Sequence, residues 1–335
     1  MNWLRVATWL RWLGLVALLA FAEGATARAD GGGEIEQAVK ALRAHGVRNP
    51  IVETHIHFWQ VTRPGGVPYP PPENTTLFRD ILPPEYKQLA IPNGVVTAGI
   101  VEASPFVEDN QFILDLVRKD HYFSFYVGSL EIGSPDFAQN LERFSHDRRF
   151  VGIRGFLWSP VILLDAAQLR DLRDLASRGM TLDIISRGTT NPKSQVEALC
   201  IAVPDLKIII DHLAGAQGAV PTPEWELSIR RLADLCPNLY IKFSSFYDMY
   251  QVGDGNTPWS APTDLAAYKA HFDVLMTAFG PDRLIWGSNW PVSDMGGDFA
   301  TQIAIAEEYL ALFGHRVRDK VMFINALKFY RRHQP

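Results

Sequence analysis

The chain alternates between short apolar stretches rich in β-branched residues and longer stretches in which apolar residues recur every three or four positions. Near-continuous apolar stretches are typical of parallel strands buried on both faces, and the longer spacing is typical of amphipathic helices. Leu169, Leu172 and Leu175, followed by Gly179, predict one such helix and its end. The pattern predicts eight strands, which are Ile51–His55, Val95–Ala103, Phe123–Leu130, Phe150–Leu157, Met180–Ile185, Lys207–His212, Leu239–Phe243 and Arg283–Gly287.

This alternation favours a single-domain α/β fold, the (β/α)8 or TIM barrel. Eight strand–helix units within about 250 residues are typical of that barrel. A doubly wound open sheet is the alternative, but it should carry a Gly-rich phosphate-binding turn after its first strand. The residues after His55 contain no such turn. One further helix is predicted ahead of the first strand, over Glu34–Gly46.

The N-terminus has the pattern of an export signal. Trp12–Ala22 is apolar and uncharged over 11 residues, whereas a membrane-spanning helix needs about 20. Ala27-Arg28-Ala29 then provides the small-x-small pattern of a signal peptidase site. We interpret residues 1–29 as a signal peptide, 30–48 as an N-terminal helical extension and 49–335 as the barrel domain. The mature protein is then periplasmic or secreted; an uncleaved membrane anchor is the alternative.

Composition narrows the class of partner. The net charge of −5 over 335 residues gives no electrostatic reason to bind nucleic acid or an anionic membrane. Only two cysteines occur, Cys200 and Cys236, which excludes a disulfide framework and a Cys-based zinc module. Both are expected as buried free thiols on helices, although they could pair in an oxidising compartment. The expected partner is a small-molecule substrate, and a homo-oligomer is left open.

Histidines mark the ends of two predicted strands. In a (β/α)8 barrel the chemistry lies at the C-terminal ends of the strands. His55 and His57 are two residues apart at the end of the first strand, so both side chains point to one side, where they could bind a metal or transfer protons. His212 follows the sixth strand and is their expected third partner. The other histidines are predicted to be surface or capping residues of helices: His45, His121, His146, His271, His315 and His333.

Polar residues end the other strands as well. Burying a polar side chain without a partner costs free energy, so such a set indicates a site, although pairs such as Arg154 with Glu102 or Glu131 could simply close the barrel. The remaining members of the set are Glu53, Asp183, Asp211, Lys242, Ser244, Ser245, Ser288 and Asn289.

Several of these residues belong to motifs of a known family. The chain resembles the amidohydrolase superfamily and, more narrowly, the amidohydrolase-related (amidohydrolase 2) family of sugar lactonases and pyrone-dicarboxylate lactonases. The resemblance covers about residues 50–332 and is specific for the family but not for a substrate. Its motifs are Glu53-Thr54-His55-Ile56-His57-Phe58-Trp59, Val151-Gly152-Ile153-Arg154-Gly155, Ile210-Asp211-His212-Leu213-Ala214-Gly215, Tyr240-Ile241-Lys242-Phe243-Ser244, Gly287-Ser288-Asn289-Trp290-Pro291, Asn325-Ala326 and Tyr330.

One position departs from the family pattern. Asn289 stands where the family has an aspartate that binds metal or activates water. An amide accepts no proton at neutral pH and is a poor metal ligand. Glu53 also replaces the family's common aspartate, and we expect it to point away from the histidine pair and to orient its neighbours.

Four chemical routes remain open with Asn289. In the first, His55, His57 and His212 hold one divalent metal such as zinc, which lowers the pKa of bound water to about 7. In the second, which needs no metal, a histidine is the base and Arg154 or Lys242 stabilises the oxyanion. The third takes its base from Asp294 or Asp298 in the loop after the eighth strand. In the fourth the site binds a ligand without turnover.

The resemblance implies a hydrolase that opens a cyclic ester, either a sugar lactone or an aromatic-acid lactone. A decarboxylase of an aromatic or unsaturated carboxylate and a non-catalytic binding protein are the alternatives. Two long loops, Gln60–Arg79 and Phe246–Ala261, are expected as lids. Their aromatic residues suit stacking on a flat ring or packing of the lids onto the barrel. The catalytic candidates are His55, His57, His212 and Asn289, and the substrate-binding candidates are Trp59, Glu102, Arg154, Lys242, Ser244 and Trp290.

Overall fold

Eight parallel strands form one barrel. The computed structural model describes residues 31–155, 164–186 and 193–332, so the predicted signal peptide lies outside the described residues. The strands are hydrogen-bonded in chain order from first to last, which confirms the predicted (β/α)8 architecture. Their bounds are β1 (Ile51–Ile56), β2 (Val95–Val101), β3 (Phe123–Gly128), β4 (Phe150–Gly155), β5 (Thr181–Ile184), β6 (Lys207–Ile210), β7 (Leu239–Ser244) and β8 (Leu284–Gly287).

The barrel closes between its first and last strands. Ile56 of β1 forms a parallel bridge with Trp290, and the backbone N–H of Asn289 donates to the carbonyl of His55 at 2.8 Å. Because closure runs through these residues, the C-terminal ends of β1 and β8 meet. The apolar strand residues are almost all buried, as expected for strands covered on both faces.

Helices cover the outside of the barrel. Three of them begin at a side chain that caps the first turn, at Asp165, Thr222 and Asp298. Asp298 accepts from Thr301 N at 2.9 Å, so this carboxylate serves the helix start. The helices are α1 (Gly31–Ala44), α2 (Pro83–Ala90), α3 (Val107–Leu116), α4 (Phe137–Ser145), α5 (Ala166–Ser177), α6 (Lys193–Ala202), α7 (Pro223–Leu235), α8 (Lys269–Phe279), α9 (Phe299–Ala311), α10 (His315–Asp319) and α11 (Asn325–Phe329).

None of the described helices combines the length and the apolar character that a membrane-spanning helix requires. The helix predicted over Glu34–Gly46 is present as α1, and it packs Ile35, Val39 and Leu42 into the core.

The two cysteines form a disulfide, so the expectation of free thiols is wrong. Cys200 on α6 and Cys236 at the end of α7 have Cα atoms 5.6 Å apart, within the normal range for a disulfide. Neighbouring helices α6 and α7 pack side by side in the barrel's outer layer, which brings the two residues together although 36 positions separate them.

One histidine outside the site also differs from its prediction. His271 on α8 is buried and packs its ring 5.1 Å from that of Trp225, and burial lowers its pKa to about 4. The surface prediction is therefore wrong for His271. It is confirmed for His45, His121, His146 and His315, which are exposed, while His333 lies outside the described residues.

Candidate active site

The histidine pair of β1 lies at the C-terminal end of the barrel. His55 and His57 are both buried, with ring centroids 4.9 Å apart. The ring of His212, which follows β6, lies 4.6 Å from that of His55. The three histidines predicted as partners therefore converge, with His55 in the middle.

His57 has both ring nitrogens occupied by protein groups. Nδ1 lies 2.9 Å from the carbonyl oxygen of Val101, and Nε2 lies 3.0 Å from Oδ1 of Asn289. A carbonyl only accepts, so Nδ1 carries a proton. Burial, and then the positive charge of Arg154, lower the pKa of His57 to about 3. His57 is thus neutral at physiological pH, and its Nε2 presents a lone pair to Asn289.

Asn289 adopts a left-handed backbone conformation, with φ of 67°. Asparagine tolerates that conformation better than most residues. Its amide also lies 2.7 Å from Oγ of Ser245. With His57 neutral, the amide nitrogen must donate to Nε2 and the amide oxygen must accept from the Ser245 hydroxyl, an assignment that a half turn of the amide provides. Asn289 therefore holds His57 in one tautomer.

His212 begins a left-handed turn directly after the strand end at Asp211. His212, Leu213 and Ala214 have φ values of 55°, 51° and 51°. Left-handed residues other than glycine cost free energy and are concentrated at functional sites. Nδ1 of His212 lies 3.0 Å from Oγ of Ser244, the last residue of β7. This contact fixes the orientation of the ring.

Arg154 forms a rigid pair with Glu102. Its Nε donates to Oε1 of Glu102 at 2.7 Å, and its Nη2 donates to the Glu102 carbonyl at 2.7 Å. Nη1 points the other way, 3.4 Å from Nε2 of His55 and 3.8 Å from Oδ2 of Asp211. The pairing with Glu102, one of two that the sequence predicted, is confirmed, and Glu131 is exposed instead.

Lys242 lies inside the barrel below these residues. Its side chain is 0% exposed, and Nζ lies 2.6 Å from Oδ2 of Asp183, 3.0 Å from Oδ1 of Asp211 and 3.1 Å from Nδ1 of His55. Burial raises the pKa of Asp183 to about 6 although the Lys242 charge opposes the shift. For Asp211 burial favours a raised pKa, but the charges of Lys242 and Arg154 outweigh it and hold the pKa below its ordinary value. The Lys242 ammonium therefore contacts the His55 ring at Nδ1.

A donor set for a metal ion exists among these residues. His55, Asp211 and His212 bring one ligand atom each within 4.8 Å of one another, and imidazole with carboxylate is a set that zinc accepts. A neutral imidazole has a free lone pair on only one ring nitrogen, however, and its other nitrogen carries a proton. The Lys242 ammonium faces Nδ1 of His55, and the Arg154 guanidinium faces Nε2. As the residues stand, His55 does not fit a metal ion.

Trp290, predicted to bind the substrate, and Glu53, predicted to orient its neighbours, are both part of the barrel wall. Trp290 is buried, with its ring 5.2 Å from that of Tyr86, so it packs in the core. Oε1 of Glu53 accepts the backbone N–H groups of His55 and Ser288 at 2.8 and 2.9 Å. Burial raises the pKa of Glu53 to about 7, and these backbone donors moderate the shift. Glu53 therefore orients the chain on both sides of the barrel closure.

A pocket adjoins the site where β1 and β2 end. The first lid loop covers it, and Arg63 of that loop donates to Oδ2 of Asp109 at 2.6 Å and lies over the ring of Phe112. Trp59 donates to the Arg79 carbonyl at 2.9 Å. The pocket is lined by Phe58, Trp59, Arg63, Val67, Pro68, Tyr69, Glu102, Ala103, Ser104, Asp109, Phe112, Ile113 and Tyr126.

The aromatic residues of the second long loop pack onto the barrel. The Tyr247 side chain is buried and its hydroxyl donates to the Asp298 carbonyl. Trp259 donates to the carbonyl of Tyr247 at 3.0 Å. Of the two roles expected for lid aromatics, packing therefore applies to this loop. Tyr69 of the first lid, and Trp59 just before that lid, line the pocket.

Sequence reasoning did not assign roles to four residues of this network. Asp183 and Asp211 appeared only as strand-end carboxylates, and Ser245 only as a strand-end hydroxyl. Tyr330, from the far C-terminus, donates its hydroxyl to Oδ2 of Asp183 at 2.9 Å. Their position at strand ends marked three of them. Tyr330 belonged to the motifs of the family resemblance, but no local pattern placed its side chain beside Asp183.

Burial raises the pKa of Asp294, in the loop after β8, to about 7, and Arg79 opposes part of that shift. This carboxyl titrates near neutrality, as a base would. Its neighbours are Trp290, Arg79 and Glu85, and Glu85 lies on α2. The groups that act on Asp294 are thus Trp290 and charged side chains, and none of the three histidines is among them.

Comparison with known proteins gives a consistent result. The family model described as Amidohydrolase matches residues 52–332. An L-fucono-1,5-lactonase of Burkholderia ambifaria is 28% identical over 293 residues, which cover 85% of this chain and 96% of that protein.

Two crystal structures have a similar fold. An amidohydrolase of Burkholderia multivorans, solved with bound zinc, superposes with a TM-score of 0.73 at 22% identity and covers 85% of this chain and 100% of its own. A protein described as a putative 2-pyrone-4,6-dicarboxylic acid hydrolase of Pseudomonas putida superposes with a TM-score of 0.65 at 19% identity, covering 84% and 97%.

Proposed function

Because this chain belongs to the Amidohydrolase family, whose model it matches over residues 52–332, and is a hydrolase, we propose that it opens the ring ester of a sugar lactone. The observation that carries the proposal is the position of Arg154. Two of its nitrogens are fixed by Glu102, and Nη1 is directed toward His55, beside His212. A fixed cationic donor next to an imidazole is what attack of water on an ester needs.

In the proposed reaction His212 is the general base. Nε2 of His212 takes a proton from water as the water oxygen bonds to the lactone carbonyl carbon, and the resulting oxyanion accepts from Nη1 of Arg154. The ring C–O bond then breaks, and the proton passes from His212 to the leaving alkoxide. The product is one hydroxy acid, and Ser244 keeps the imidazole in place throughout.

Zinc, which the relative from Burkholderia multivorans contains, has no part in these steps. His212, Arg154 and Ser244 supply the base, the oxyanion donor and the positioning group. Zinc binding at His55 stays a prediction from the sequence. The contact between Lys242 and Nδ1 of His55 opposes that prediction.

The charge of the pocket favours an uncharged substrate. Arg63 is paired with Asp109 at 2.6 Å, and Arg154 with Glu102 at 2.7 Å, so both of these cations are already balanced by a carboxylate. A pyrone dicarboxylate would bring two negative charges to these pairs. A sugar lactone brings hydroxyl groups and apolar C–H faces, which suit the aromatic residues Trp59 and Tyr69. The L-fuconolactonase relative agrees with this choice.

A panel assay tests the proposal. Purified protein is offered five- and six-membered sugar lactones, 2-pyrone-4,6-dicarboxylate and aromatic carboxylates, with proton release and carbon dioxide release followed separately. We expect turnover of at least one sugar lactone. Turnover of the pyrone alone, or carbon dioxide release, would favour the aromatic-acid lactonase or the decarboxylase. Ligand-dependent thermal stabilisation without any turnover would favour a binding protein.

The Asn289 side chain should contribute little to the rate, because it holds a neutral His57 and takes no proton. We expect Asn289→Ala and Asn289→Asp to retain kcat within about tenfold, which corresponds to about 1.4 kcal/mol of barrier. In Asn289→Asp the carboxylate can only accept, so His57 Nε2 should gain a proton and the His57 pKa, lowered to about 3 in the wild type, should rise. Kinetics and NMR titration of His57 measure both effects.

Ser245→Ala is the matched control, because it removes the other partner of the amide and leaves Asn289 in place. A collapse of kcat in Asn289→Ala but not in Ser245→Ala would show that the amide acts directly on the substrate or water.

We further propose that the protein is exported. The proposal rests on the signal pattern of residues 1–29 and is supported by the Cys200–Cys236 disulfide, since disulfides persist in oxidising compartments. N-terminal sequencing of protein from the periplasm or medium should begin at Asp30. A membrane-bound chain that still begins at Met1 would support the anchor instead.

A further inference from the structure

The Lys242 ammonium has three partners from three different parts of the barrel. They are Nδ1 of His55 on β1, Oδ2 of Asp183 on β5 and Oδ1 of Asp211 after β6, at 3.1, 2.6 and 3.0 Å. Two of these contacts are hydrogen bonds of the ammonium, to His55 and Asp183, and the contact with Asp211 is an ion pair. Lys242 and both carboxylates are 0% exposed, so water does not screen this cluster.

The three partners of Lys242 are side chains of the kinds that bind metal ions. Carboxylate oxygen and imidazole nitrogen bind zinc and other divalent transition metals in proteins. No donor among the described residues makes a hydrogen bond to Oδ1 of Asp183 or to either carboxylate oxygen of Asp211. Both carboxylates therefore depend on nearby positive charge, which Lys242 supplies to both and Arg154 supplies to Asp211 from 3.8 Å.

From this geometry we propose that Lys242 is the resident cation of the barrel. Its ammonium takes the place that a divalent metal would have between His55, Asp183 and Asp211, and it thereby keeps metal out of the site. The lone pair of His55 Nδ1 cannot serve Lys242 and a metal at once. The inference does not depend on which substrate the enzyme opens.

The covalent attachment of the ammonium to the chain explains why it occupies the cluster in preference to a metal ion. The lysine side chain is part of the strand, so it is delivered to the cluster when the barrel folds, whereas a metal ion must give up its water and compete for the same atoms. If the ammonium is removed, two buried carboxylates lose their shared counter-charge, which is costly. A divalent ion is then the available replacement, and metal binding should be coupled to stability.

The test replaces Lys242 by methionine, which keeps the length of the side chain and removes the charge. Wild type and Lys242→Met are dialysed against Zn²⁺ and then against metal-free buffer, and bound zinc is measured by mass spectrometry. Co²⁺ is added separately, because its visible spectrum reports the ligand geometry. We expect the wild type to retain no stoichiometric zinc, and Lys242→Met to retain about one zinc per chain. The additional substitution Asp211→Asn should abolish that binding.

Lys207→Met is the matched control. Lys207 is also a lysine on a strand, half-buried, but it donates to the carbonyls of Phe329 and Arg331 at the other end of the barrel. Its removal should create no zinc site. Lys242→Arg, which keeps a cation, should also stay free of zinc.

Two results would overturn the proposal. One is a wild type that retains zinc lost in Asp211→Asn, because metal would then bind with Lys242 in place. The other is a Lys242→Met protein that takes up no zinc. If that variant is unfolded without metal, near-UV circular dichroism is recorded with Zn²⁺ present: recovery of the native signal supports the proposal, and its absence counts against it.

Discussion

Replacing His212 by alanine should abolish most lactone hydrolysis. Removal of a general base lowers rates by about 10²–10⁴-fold, and His212 is the proposed base, with its ring orientation fixed by the contact between Nδ1 and Ser244. Kinetic assay on the best sugar lactone should show the loss in kcat. KM should change much less, because the imidazole contributes to the transition state more than to binding.

The backbone at this position needs its own control, because His212 has a φ of 55°. Alanine is strained there, whereas asparagine tolerates the left-handed region. His212→Asn should therefore keep the stability of the wild type in a thermal melt and still lose the activity. If His212→Asn retained most of the wild-type kcat, the base would have to be another group, with Asp294 the first to examine because its pKa is raised to about 7.

Replacing Arg154 by methionine should reduce both activity and stability. Loss of an oxyanion donor costs about 10²–10³ in kcat. Glu102 is 2% exposed, and its carboxylate would lose the Arg154 guanidinium as its partner. Removing one member of a buried pair destabilises a protein by about 3–5 kcal/mol. Lactone kinetics and urea unfolding of the same variant measure the two effects.

A double variant separates the two roles of Arg154. Adding Glu102→Gln removes the unpaired charge, so Arg154→Met/Glu102→Gln should regain part of the lost stability without regaining activity. If the double variant also recovered kcat, the arginine would act only by holding the fold, and the oxyanion donor would be elsewhere.

Some contacts of the site were predictable from the sequence, and others were not. His55 and His57 converge as predicted because two residues at positions i and i+2 of a strand point the same way. Arg154 on β4 pairs with Glu102, one of two alternatives that the sequence left open, although β3 lies between β4 and the β2 strand that Glu102 follows. Glu131, which comes after the adjacent β3, is exposed. Trp290 was expected at the substrate, but it follows Asn289 by one residue and its side chain turns into the core.

The sequence by itself determined the eight strands, the alternation of strands and helices along the chain, and the set of polar residues at the strand ends. It did so because strand and helix periodicities are local: they depend on neighbours along the chain and on which face is buried. The tertiary structure alone decided which strand ends face one another. The contacts of Lys242 with His55, Asp183 and Asp211 span 187, 59 and 31 positions, and the cysteines are 36 apart. Such contacts depend on the closure of the barrel, where distance in space no longer follows distance along the chain.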